Sequence, residues 1–255
     1  MKQIIINADD FGANDIVTSE IEKVIVERAV SSTTVMANGL CLDEVRRFAA
    51  EHPKVSFGVH LCLSEFSSLT KSEVLHRAGL TDENGQFVHK AVFRLQNLNE
   101  EMVQNAIRDE LNAQIDVVSS LGFPISHADS HHHVHTIYAL HEVFSDVLHN
   151  RGIKKMRLCM GFKTLRSKAH LLNYLRHVRL NHYYRSQFTT ADIFTNYASF
   201  VNKGKRLHDG QVVELMCHPG HPAERYQKEM QLVENKCALQ ESDVRLISYN
   251  DLQKN

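Results

Sequence analysis

Short, almost wholly apolar runs alternate with amphipathic helical patterns along most of this 255-residue chain, and that alternation restricts the fold more than any other feature. The run "QIIINA" at 3–8 reads as a buried strand, followed by a helical pattern from about Asn14 to Val30. "STTVMAN" (32–38), a helix near "DEVRRFAAEH" (43–52) and "VSFGVHLCL" (55–63) repeat the unit. Segment 64–98 is less regular, with "TDENGQF" (81–87) as a turn or hairpin. Val103, Ile107, Leu111, Ile115 and Val118 then recur at helical spacing, Asn99 can cap that helix, and Gly122 with Pro124 ends it. "ISHAD" (125–129), a helix over 136–150, "KKMRLCM" (154–160), a long helical pattern around 165–182, "QVVELMCH" (211–218) and "VRLIS" (244–248) complete the series. Strands this apolar are covered on both faces, which predicts a parallel sheet. About seven β/α units suit an α/β barrel, complete or not, better than an open nucleotide-binding sheet. The phosphate loops G-x-G-x-x-G and G-x-x-x-x-G-K-[ST] do not occur. No repeat or linker interrupts the pattern, so one domain over 1–255 is expected.

Charge and cysteine usage narrow the setting. A formal net charge of −1 gives no electrostatic reason to expect nucleic acid or an anionic membrane as partner. Cys41, Cys62, Cys159, Cys217 and Cys237 are scattered and never form C-x-x-C, which argues for a reducing compartment and against a thiolate zinc site. "MKQIIINADD" is too short in apolar residues for a signal-peptide core, and no run approaches membrane-spanning length. A cytoplasmic protein is expected, with a homodimer as the default assembly.

In a parallel barrel the reactive groups sit at the carboxyl ends of the strands. Reading each strand to its end meets Asp9 and Asp10 in "NADDFG", His60 in "FGVHLCL", Asp129 and His131 after "ISHAD", Arg157 in the 154–160 run, and His218 in "ELMCHPGH". Two adjacent carboxylates in a regular strand point to opposite faces, so Asp9 and Asp10 share a site only if the backbone turns there, as Phe-Gly allows. They then read as one metal ligand and one general base; the structural alternative is an N-cap for the next helix. His60 is a ligand candidate or a hydrogen-bonded core residue. His218 is placed as a general acid or as a capping residue. Arg157 is a candidate substrate contact, a group that holds Asp9 ionised and oriented, or an ordinary ion pair.

"SHADSHHHVH" (126–135) concentrates five histidines inside the chain. His127, Asp129, His131, His133 and His135 would line one face of an extended segment. A chain turning helical at Ser130 would instead make His131 and His135 i, i+4 neighbours, a spacing that also suits a metal.

Together "IIINADDFG", "SSTTVMANG" (31–39), "GVHLCL" (58–63), "HADSHHHVH" (127–135) and "ELMCHPGH" (214–221) resemble the YdjC-like carbohydrate deacetylases, chitooligosaccharide deacetylases among them. The resemblance implies a single distorted (β/α) barrel of the glycoside hydrolase/deacetylase type. It implies hydrolysis of the acetamide of an N-acetylated amino sugar, with one divalent ion, Mg2+ or Zn2+. By position it makes Asp10, His60 and His131 the metal ligands, Asp9 the catalytic base and His218 the acid, with Asp10, His131 and His135 as the competing ligand set. Residues 161–210 carry no such signature. Between Gly161 and Ala191 there is no acidic residue, whereas Lys163, Arg166, Lys168, Arg176, Arg179 and Arg185 are present beside an apolar stripe of Leu171, Leu175 and Val178. A basic surface helix docked on the barrel is expected, the alternative being a contact for an anionic sugar or a partner subunit. The rival readings are another barrel metallohydrolase, acting on phosphoesters or other amides, and a non-catalytic metal-binding protein.

Overall fold

The computed structural model describes residues 1–160, 168–203, 208–240 and 243–253. Seven parallel strands form one curled sheet: β1 Lys2–Phe11, β2 Ser32–Val35, β3 Ser56–Leu61, β4 Ala128–Ser130, β5 Ile193–Asn196, β6 Val212–Cys217 and β7 Val244–Ile247. The order across the sheet is β4-β3-β2-β1-β6-β5. β7 pairs with the first residues of β1, and β2 takes over the same edge from Asn7 onward. The helices are α1 Asp15–Val26, α2 Leu42–Glu51, α3 Glu73–Arg77, α4 Glu101–Ser119, α5 His141–Asn150, α6 Lys168–Gln187, α7 Tyr197–Lys203 and α8 Glu224–Glu234. No helix among the described residues is long and apolar enough to cross a membrane.

The apolar run of β1 is continuous because both of its faces are buried. Ile4, Ile6 and Ala8 join the large core under the helices, while Ile5 joins a smaller cluster with Val212, Ile247, Tyr249 and Leu252 inside the curl. Strand alternation puts Asn7 and Asp9 on the same inner side as Ile5. The interior of the curl therefore turns from apolar to polar toward the carboxyl ends of the strands, where the site lies.

The barrel expectation holds at the level of a curled, helix-covered half-barrel. Residues 154–160, expected as a strand, form only isolated bridges, Ala128 with Met156 and Lys155 with Thr189. Their neighbour β4 is three residues long, so a ladder has little to pair with. Residues 81–87 do fold back, through antiparallel bridges Thr81 with Phe87 and Ser67 with Gln86. Helix α4 forms where the periodicity places it, but Glu100 rather than Asn99 occupies its N-cap, with no side-chain capping bond. In the basic region, Lys163, Arg166 and the side chain of Lys168 lie outside the described residues. α6 does not dock through the expected stripe: Leu171, Leu175 and Val178 are exposed, and the helix packs through Leu180 and Tyr184 nearer its end.

Candidate active site

The carboxylate pair at the end of β1 shares a cavity because the backbone turns there. Asp10 has φ 74°, and the pairing of β1 with β2 slips between Ala8 and Phe11. A left-handed backbone is uncommon for a residue other than glycine. Here it brings Asp10 to the side on which Asp9 already lies. The capping alternative does not apply, since Asn14 caps α1 and accepts the Val17 N–H at 3.0 Å.

Asp10 Oδ1 lies 3.1 Å from His60 Nε2 and 2.8 Å from His131 Nδ1. One oxygen and two ring nitrogens from β1, β3 and the turn after β4 thus meet within 4.8 Å of one another. Each imidazole is held from behind by a carboxylate. His60 Nδ1 lies 2.6 Å from Asp129 Oδ1, and His131 Nε2 lies 3.1 Å from Glu65 Oε2. Such partners fix ring orientation and tautomer, leaving the inner nitrogens free to donate to a cation. The donor set fits a divalent cation on these grounds. The same carboxylates draw positive charge to the spot: burial disfavours the His60 imidazolium, yet Asp129 and Asp10 push its pKa up to about 10. His131, also opposed by burial, is raised by Asp10 and Glu65.

Neither expected geometry for the histidine cluster is adopted. After β4 the chain enters a 3-10 turn, His131–Thr136, in which His132 and His133 take φ of 52° and 59°. His131 and His135 are therefore not stacked helical neighbours. His135 is fully buried, its Nδ1 on the Ser130 hydroxyl, and it belongs to none of the metal-capable groups among the described residues. The competing ligand set with His135 is not formed. His127 lies deeper in the curl, stacked on Tyr249 at 3.6 Å between ring centroids.

Asp9 faces the cluster from the interior. Arg157 donates to both of its oxygens, at 2.6 and 2.7 Å, and Asn7 Nδ2 donates to Oδ1 at 2.8 Å. Burial alone would raise the Asp9 pKa; the Arg157 charge and hydrogen bonds, with His60 and His218, hold it well below the usual carboxylate range. Arg157 also reaches Asp129 at 2.6 Å and Glu214 at 2.7 Å and has no exposed surface. That burial corrects the expectation of a substrate contact; its position behind Asp9 fits the orienting role. His218 Nε2 stands 4.0 Å from Asp9 Oδ2. Burial opposes its protonation, but Glu229, Asp9 and Asp10 together raise its pKa. Asp9, Asp10, His60, His131 and His218 all line one cavity of about 410 Å3.

Glu65, Glu214 and Glu229 are neighbours of the site that sequence reasoning did not single out, and Asp129 was met there without its place behind His60. Asp129 was visible as a strand-end acid, and Glu65 follows the third strand closely in "GVHLCLSEF". Glu214 and Glu229 carried no such signal, one lying mid-strand and the other on a helix the sequence pattern did not reveal.

Fold and site define a class: a curled parallel α/β sheet with a carboxylate–imidazole cluster at the carboxyl ends of its strands. A family model described as YdjC-like protein matches residues 3–251, and the chain belongs to the YdjC-like family. Curated relatives carry the name carbohydrate deacetylase. The protein of Brevibacillus brevis is 29% identical over 86% of this chain and 82% of its own length. That of Clostridium beijerinckii is 25% identical over 98% and 100%, and that of Vibrio cholerae 32% over 85% and 78%. Among solved structures, a protein described as a cellobiose-phosphate cleavage protein from Enterococcus faecalis shares the fold, with a TM-score of 0.74 at 23% identity, covering 98% of both chains.

Proposed function

We propose that the protein hydrolyses the acetamide of an N-acetylated amino sugar and releases acetate, with one divalent cation held by Asp10, His60 and His131. The observation that carries this reading is the meeting of Asp9, Asp10, His60, His131 and His218 on one cavity. The shared name of the relatives supports the substrate class. A cation bound there would polarise the amide carbonyl and acidify water. Asp9, kept ionised by Arg157, accepts the proton of the attacking water. His218, its pKa raised by Glu229, Asp9 and Asp10 against the effect of burial, gives a proton to the departing amine, which leaves poorly without one. Asp129 and Glu65 hold the two imidazoles in the orientation the cation needs. Imidazole donors favour zinc, whereas carboxylate and water favour magnesium.

Elemental analysis, followed by an acetate assay on a panel of N-acetylated amino sugars with and without chelator, tests the reading. One divalent ion per chain and acetate release that chelator abolishes are the expected results. Two ions per chain, or phosphate release without acetate, would indicate a different metallohydrolase. Bound metal with no product would leave a metal-binding protein.

A further inference from the structure

Helix α8 delivers two side chains to His218 that the reaction described above does not use. Tyr226 packs its ring on the imidazole, with centroids 4.3 Å apart. Glu229, three residues further along the helix, is buried, and its Oε2 lies 3.6 Å from His218 Nδ1. The same oxygen accepts the backbone N–H of His218 at 3.3 Å, while Oε1 accepts the Ala198 N–H at 3.5 Å. On its opposite edge the imidazole turns Nε2 toward Asp9 Oδ2 at 4.0 Å. His218 is thus bracketed by carboxylates, one at each ring nitrogen.

From this geometry we infer that Glu229 is a positioning residue: its carboxylate, facing Nδ1 of His218 at 3.6 Å, favours the proton on that nitrogen, which fixes the tautomer and aims Nε2 at Asp9 and the cavity. The inference rests on the reading of His218 as proton donor. A buried carboxylate is costly unless it is paired and hydrogen-bonded. Among the described residues, His218 is the cationic side chain that pairs with Glu229. A purely structural role would use both oxygens on backbone, those of Ala198 and His218, and would leave unexplained why the buried Nδ1 of His218 has Oε2 as its neighbour at 3.6 Å. The oxygen facing His218 meets both its backbone and its ring, so the helix locks the position of the residue and the rotation of the imidazole together. Carboxylates that orient a catalytic histidine act through tautomer and direction, not through direct contact with substrate.

The test uses the full-length metal-loaded protein and two conservative variants, Glu229→Gln and Glu229→Asp. Imidazole 1H–15N NMR should show a protected Nδ1–H for His218, assigned by its loss in His218→Asn. That signal should move or vanish in Glu229→Gln and return in part in Glu229→Asp. With an N-acetylated amino sugar, Glu229→Gln should lower kcat by about 10- to 100-fold, the range seen when orienting partners are removed, with KM unchanged. With 4-nitrophenyl acetate, whose leaving group needs no proton, the loss should largely disappear. A folded Glu229→Gln protein with an unaltered His218 signal and unaltered kcat would overturn the inference. So would an equal loss on amide and ester, which marks general structural damage. If the NMR signal responds as expected but wild-type protein releases acetate from no sugar, the positioning role stands and the deacetylase reading falls.

Discussion

Asp9 and Asp10 are adjacent and chemically identical, yet their surroundings separate them. Asp10 offers an oxygen to two imidazoles at the cavity, whereas both oxygens of Asp9 are held by Arg157. Asp9→Asn should therefore keep the bound metal and lose turnover, by about 10²–10⁴-fold, the usual share of a general base. His60→Ala should lose metal and turnover together, because it removes one of three converging donors. Metal content after dialysis, measured beside acetate release, separates the two, and equal occupancy in His60→Ala would remove His60 from the ligand set. The residues of this cluster were legible because each ends an apolar strand or follows one directly. Of their partners, Asp129 was legible as a strand-end acid, but Glu65 and Glu229 were not, because no rule of spacing links Glu65 to His131 or Glu229 to His218; only the closed fold brings them together. Arg157 was visible, but whether it faced substrate or backed Asp9 depends on burial, which a local pattern does not reveal.

Between β3 and α3 the chain runs through the loop that presents Glu65 and Ser64 to His131 and His132, and α4 holds that loop from below. Glu110, fully buried on α4, accepts the backbone N–H groups of Leu69 and Thr70 at 3.0 and 2.9 Å and the Ser68 hydroxyl at 2.8 Å. One turn along, Gln114 pairs with both backbone groups of Cys62. Glu110→Ala strands three donors, the buried Ser68 hydroxyl and the half-buried N–H groups of Leu69 and Thr70, at about 1 kcal/mol each, so a loss of about 3 kcal/mol is expected. For a chain of this size that corresponds to a fall in Tm of roughly 6–12 °C, with weaker metal retention as Glu65 loosens. A loss below about 1 kcal/mol by urea titration would show that water or neighbouring groups satisfy the loop instead. The periodicity of α4 was plain from Val103 to Val118, but it marks only the apolar stripe. It does not mark Glu110 and Gln114, which are fully buried, because apolar periodicity picks out apolar residues alone. Short elements were lost for a related reason: β5 is four residues long, too few for alternation to stand out.

Across the whole molecule, the inside of the curled sheet is tied by one cation among three carboxylates. Arg157 meets Asp9 from β1, Asp129 from β4 and Glu214 from β6, and Tyr249, beyond β7, donates to Glu214 at 2.6 Å. The alternating pattern that announced a helix-covered parallel sheet also announced apolar strands, so a charged interior knot linking distant strands was not visible in it. The guanidinium is shared among three buried acids, and Asp129 also has His60 beside it at 2.6 Å, so the surplus negative charge falls on Glu214. Burial pushes its pKa up to about 7, against the pull of Arg157 and Tyr249. A carboxyl whose pKa is raised by folding prefers its protonated form in the native state. Its contribution is complete below the unfolded value near 4.5 and is lost as pH rises toward about 7. Asp9, shifted the opposite way, contributes above its unfolded value of 3.8 and loses that contribution only as pH falls below it. The two windows do not overlap. Glu214→Gln keeps the shape and the neutral form, so the stability of wild type minus that of the variant should decline between pH 5 and pH 7. The decline should amount to a few kcal/mol at most, on the order of 1.4 kcal/mol per pKa unit. Urea midpoints at pH 5, 6 and 7 on both proteins measure it, and the slopes from histidines elsewhere cancel in the difference. A difference that stays constant over this range would mean that Glu214 is ionised throughout and that the surplus charge is balanced by another group.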